Sequence, residues 1–187
     1  MNQTCNCTTD KRAQLNNTMR LRWSQHVYRT RMLLISLAQC AADQAATTAW
    51  LMQNPNDIAD IYAQYYTPEV AHTIANLLTE HLQIGAELIT ALRDNKTTQA
   101  AALDKKWYAN ADEMAKAFSS INPYYPYDKM RDMLYMHLDL TKKEVAARLA
   151  RNYTEDMAAF DVVEREAMKM ADILSLGIQK QFPRKFR

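Results

Sequence analysis

The chain of 187 residues has the length of one ordinary domain, so a single hydrophobic core is expected. Only 2 glycines and 5 prolines interrupt it, while 48% of residues are hydrophobic and 11 are methionine, too little turn chemistry for a many-stranded sandwich or barrel; the composition predicts an all-α fold. With glycine only at Gly85 and Gly177, the GxGxxG dinucleotide loop and the P-loop are excluded, and a net charge of +2 lacks the basic excess of a nucleic-acid binder.

Charge is unevenly placed. Residues 1–31 carry six basic side chains against Asp10 and residues 179–187 carry four against none, so both ends are basic and the body is acidic. A polar leader is expected over 1–13, a helical domain over 14–182 and a basic tail over 183–187. The leader holds Cys5 and Cys7, two of only three cysteines, and two thiolates alone do not close a zinc site. It has no apolar h-region and no stretch of the chain approaches 18 apolar residues, which reads as a cytoplasmic chain without a transmembrane segment.

Met19, Trp23, His26, Thr30, Leu33 and Leu37 recur at three- and four-residue steps, the stripe of an amphipathic helix over 14–39. A weaker helical stretch from Ala41 to Met52 ends at Asn54-Pro55, and a short helix capped by Asn56 follows. Thr67-Pro68 opens a third long helix that runs to Arg93. Further helices are expected over 98–119, 128–151 and 154–182. The segment Ile121–Tyr127, with two prolines and three tyrosines, is expected to lie as a lid over one end. Short connections make each neighbouring pair an antiparallel hairpin, so the fold is expected to be a bundle of about five to six helices built from repeated hairpins.

One element occurs three times. His26, His81 and His137 recur at almost equal intervals, the second longer than the first by a single position, each with a bulky apolar residue at −3 (Trp23, Leu78, Leu134) and a small one at +4 (Thr30, Gly85, Thr141). Each interval holds one helix out and one back, so the three host helices run parallel and their imidazoles share one height. Neutral imidazole is a ligand for Zn, Fe or Cu, and bundles build metal sites from facing helices, so a transition metal ion is the expected cofactor. Folding the last helix back on its neighbour puts Glu164 or Asp172 in reach as the acid, and Asn110 falls beside His81, where it would fix the tautomer. The competing reading makes the histidines core residues satisfied by Thr30, Asn110 or Thr141. His72 lies outside the pattern. Trp23, Leu78 and Leu134 stand where the Glu-x-x-His pair of the di-iron bundles would need a carboxylate before His26, His81 and His137, so a ferritin-type di-iron site is not expected.

The segments Trp23-x-x-His26-Val27-x-x-Thr30-Arg31, Leu78–Leu82, Lys106–Glu113, Ser119–Tyr124 and Lys169–Asp172 with Gly177–Phe182 resemble a small family of bacterial helical proteins with ferritin-like features, over about residues 20–183. Members of that family are sometimes labelled acetylglutamate kinase, an activity whose glycine-rich α/β phosphate site this sequence lacks; the resemblance implies a fold. Function thus reads as a metal- or small-ligand-binding bundle with a histidine-lined core. The alternative is a non-catalytic interaction protein using its basic termini and the tyrosine segment. An enzyme reading would need the three-histidine site, with an open position for water or dioxygen.

Overall fold

The computed structural model describes residues 10–187. The Cys5-Cys7 pair lies outside the described residues. Seven α-helices follow in order: α1 (Lys11–Ala38), α2 (Gln44–Leu51), α3 (Asn54–Ala63), α4 (Pro68–Arg93), α5 (Thr97–Ile121), α6 (Tyr127–Leu149) and α7 (Tyr153–Gln181), with a 3-10 turn at Pro183–Phe186. The fold is an all-α antiparallel bundle, as the composition requires. Among the described residues no helix is long and apolar enough to cross a membrane.

Three hairpins make up the bundle: α1 returned by the broken pair α2–α3, α4 by α5, and α6 by α7. Each outgoing helix stops in the same way. Cys40, Asn95 and Arg151 adopt φ of 51°, 56° and 59°, and the next amide closes a bond five residues back: Ala41 to Ser36 (3.0 Å), Lys96 to Ala91 (2.9 Å) and Asn152 to Ala147 (3.0 Å). This is the Schellman stop, here with three non-glycine residues in the left-handed region. Each stop lies equally far beyond a repeated histidine, about four helical turns on, so the internal repeat extends from side chain to backbone. The three stops meet around one surface hollow lined by Cys40, Asn95 and Arg151, as they must where α1, α4 and α6 run parallel.

The opposite end is tied by the return helices. Tyr66, just past α3, donates to Gln181 Oε1 of α7 (2.6 Å) and accepts from Asn122 Nδ2 after α5 (2.9 Å), while Gln181 Nε2 donates to Ile121 O (2.8 Å). Tyr125 is not part of a surface lid. It is buried, donates to Leu174 O and presses on Gly177, where a Cβ would sit 2.0 Å from its ring.

The segment 183–187 is not a free tail either. Its 3-10 turn buries Phe186, which stacks on Tyr65 at 5.6 Å and 16°. Residues 11–13, expected in the leader, belong to α1, whose first turn is capped by the Asp10 side chain accepting from Arg12 N (2.9 Å). Lys11 Nζ reaches Arg187 O (3.1 Å), so the two basic ends of the described chain converge.

The core holds two main apolar clusters. The larger apolar cluster contains Trp23, Leu78 and Leu134, and a smaller one towards the Schellman stops contains Leu33, Leu34, Leu51, Leu82 and Ile89. Along α4 and α5 the larger cluster continues past His81 through Ile84, Leu88 and Leu103.

Candidate metal centre

His26, His81 and His137 come from α1, α4 and α6 and are 2%, 4% and 4% exposed. Their ring centroids form a near-equilateral triangle of 6.1, 5.8 and 6.3 Å. One ligating nitrogen from each lies within 4.8 Å of the other two. The centre of such a triangle is at most about 2.8 Å from each nitrogen, against roughly 2.0–2.1 Å for a Zn–N bond, so a sub-ångström inward rotation of each ring closes the site.

Each imidazole is held from behind by its own hairpin. His26 Nδ1 meets Asn54 Oδ1 at 2.9 Å, and Asn54 is oriented by donating its Nδ2 to Arg22 O (2.9 Å). Asn110 likewise donates Nδ2 to Leu77 O (3.2 Å) and Glu80 Oε2 (3.1 Å) and lies beside His81, but its buried Oδ1 and the buried His81 Nδ1 complete no hydrogen bond. Arg22 and Leu77 each lie one helical turn before the histidine, so the first two hairpins use one device. The third replaces the amide by a carboxylate: His137 Nδ1 lies 3.0 Å from Glu166 Oε2. An amide oxygen and a carboxylate only accept, so Nδ1 of His26 and of His137 donates to its partner and Nε2 is the nitrogen left to face the centre. Burial, with His137 adding to it, pushes His26 down to about 4 against the opposing Asn54 bond. The same desolvation, reinforced by His26 and His137, holds His81 well below the usual imidazole range. Both rings are neutral at pH 7, the form that binds metals.

The acids proposed from the sequence lie elsewhere. Glu164 accepts from Tyr28 Oη (2.9 Å) on the surface, and Asp172 is gripped by Arg20 at 2.8 and 2.9 Å. The carboxylate in the centre is Glu166, because the third hairpin brings its return helix level with the histidine at an offset of 29. That step was available in the sequence, since Asn110 stands at the same offset from His81. The break between α2 and α3 shortens the first offset to 28 and makes Asn54, read as a helix stop, the first residue of α3. Thr141 Oγ1 donates to the His137 carbonyl (2.9 Å), whereas Thr30 Oγ1 is buried without a partner. His72 is exposed on α4.

One further buried acid approaches the centre. Glu144, two turns beyond His137, binds Arg31 at 2.6 Å, and the same guanidinium binds Asp156 at 3.0 Å. Desolvation outweighs the Arg31 contact and pushes Glu144 up to about 7. Among the described residues only the three histidines form a metal-ligating cluster. Comparison of the chain with protein-family models, with curated proteins and with solved structures finds no match.

Proposed function

We propose that the chain is a metal-binding helical bundle in which His26, His81 and His137 hold one transition metal ion of the Zn, Fe(II) or Cu class. The observation that carries this reading is the convergence of three buried rings within 4.8 Å, two of them turned by a bond to Asn54 and Glu166 on their own return helices and the third backed by Asn110. The Nε2 lone pairs of His26 and His137 then face the centre beside the His81 ring. Buried acceptors that converge call for a donor or a cation between them, and three nitrogens at ligating separation suit a metal ion. Three imidazoles are borderline nitrogen donors, which favours Zn, Cu or Fe over the oxygen-seeking Mg and Ca. Asn54 and Glu166 orient two of the rings, Asn110 backs the third, and Glu166 is the acid in direct contact with a ligand.

The test is metal analysis of protein purified without a polyhistidine tag, followed by thermal unfolding after stripping and re-addition of Zn(II), Fe(II) or Cu(II). One equivalent of metal is expected. At a hundredfold excess over Kd it adds about 2.7 kcal/mol of stability, which for a chain of this size is a rise of roughly 5–10 °C in Tm. H81Q is expected to lose the rise and H72Q to keep it. Less than about 0.1 equivalent, with Tm indifferent to all three ions at the saturation that this linkage requires, overturns the reading.

A further inference from the structure

The three nitrogens leave a fourth coordination position, and the space on either side of them is unequal. On the side of residue −3, Trp23, Leu78 and Leu134 are buried and fill the layer. On the side of residue +4 there is a cavity of about 30 Å³ whose lining includes all three histidines together with Leu51, Ile89 and Trp107. One water needs roughly 10–15 Å³ of such space, so the cavity takes a molecule of two or three heavy atoms and excludes anything the size of a side chain.

The residues at +4 create this room. Gly85 has no side chain, and a Cβ there would meet Trp107 Cζ2 at 3.3 Å. Thr30 and Thr141 line the same cavity but differ in their bonding. Thr141 spends its hydroxyl on the carbonyl one turn back. The Thr30 hydroxyl is buried with nothing to bond, although the same back-bond geometry is open to any helical threonine. No protein group completes the coordination: Glu166 is on His137, Glu144 on Arg31, and Glu164 and Asp172 are paired on the surface.

We infer that the ion keeps one position open to this cavity and there binds a small exogenous molecule of two or three heavy atoms, with Thr30 Oγ1 hydrogen-bonding its far end. The inference rests on the metal reading above and names the ligand class that the site accepts. Apolar walls favour a neutral or singly charged ligand whose only polar needs are met by the ion and by one hydroxyl.

Co(II) loaded into the stripped protein is the reporter, with sodium azide as the three-atom probe and imidazole as a probe too large for the cavity. The visible bands of the bound cobalt are expected to shift on titration with azide and to ignore imidazole. T30V is expected to retain cobalt but to bind azide about fivefold more weakly, the size of one lost hydrogen bond. If cobalt binds and azide leaves its spectrum unchanged, or imidazole shifts it equally, the open bounded position is wrong while the metal site stands. If cobalt does not bind, the metal reading fails and this inference with it.

Discussion

At the scale of residues, the centre is defined by what stands behind each imidazole. A buried ring without an acceptor could turn either nitrogen inward; Asn54 and Glu166 remove that choice for His26 and His137. The burial that keeps His26 and His81 neutral makes the metal-free protein sensitive to acid. His26 titrates at about 4 in the fold against its ordinary 6.5, and His81 is shifted in the same direction. The unfolded chain therefore binds more protons between those limits, and stability is present above about 6.5 and lost as pH falls towards 4. His26 alone accounts for about 3 kcal/mol across that window, at roughly 1.4 kcal/mol for each tenfold change in proton affinity. Glu144, raised to about 7, works the other way between its ordinary 4.5 and 7. His137 with Glu166, Glu80 behind Asn110, and Arg31 with Asp156 face the same layer. With two histidines against one carboxyl, urea midpoints of the stripped protein are expected to rise from about pH 4.5 to about pH 6.5. A flat or falling profile would show that the three rings share a proton in the fold.

At the scale of elements, the outgoing helices and the repeated histidine were legible because apolar spacing and a near-constant interval are properties of the sequence itself. The return limbs were less so. Their register depends on how far each hairpin overshoots its Schellman stop, and nothing in Cys40 or Arg151, unlike a glycine, announces a left-handed residue. Helical spacing alone therefore points to Glu164 or Asp172 and does not reach Glu166, and it reads Asn54-Pro55 as a break. The tyrosine segment failed for another reason: two prolines identify a loop but do not say which ring turns inward. Tyr125 does, and Gly177 on α7 makes the space for it. G177A places a methyl within 2.0 Å of a ring that is 1% exposed and bonded to Leu174 O. The ring cannot retreat without losing that bond, so the variant is expected to lose about 2–4 kcal/mol, around the upper end for overpacking. G85A, which meets Trp107 at 3.3 Å, is expected to cost less. Equal urea midpoints for G177A and wild type would mean that Tyr125 is not wedged against α7.

At the scale of the molecule, the three hairpins are three copies of one device: a helix with a histidine, a left-handed stop at a constant distance beyond it, and a return helix bringing an acceptor for that histidine. None of the copies encloses the centre alone. Contacts at the far end join the return helices through Tyr66, Asn122 and Gln181, and Arg31 links α1 to α6 and α7 through Glu144 and Asp156. A metal bound by one ring from each hairpin therefore couples all three, because opening any one of them releases a ligand. Hydrogen exchange reads this directly. At a hundredfold excess of metal over Kd, amides of α1, α4 and α6 around the histidines are expected to gain the same increment, about 2.7 kcal/mol in opening free energy or roughly a hundredfold in exchange rate. Amides whose exchange needs only fraying at Lys11 or Phe186 are expected to be unmoved, since such opening leaves the three rings in place. Protection confined to one hairpin would show that the ion is held by fewer than three of the histidines, and the threefold arrangement would then be a device of packing alone.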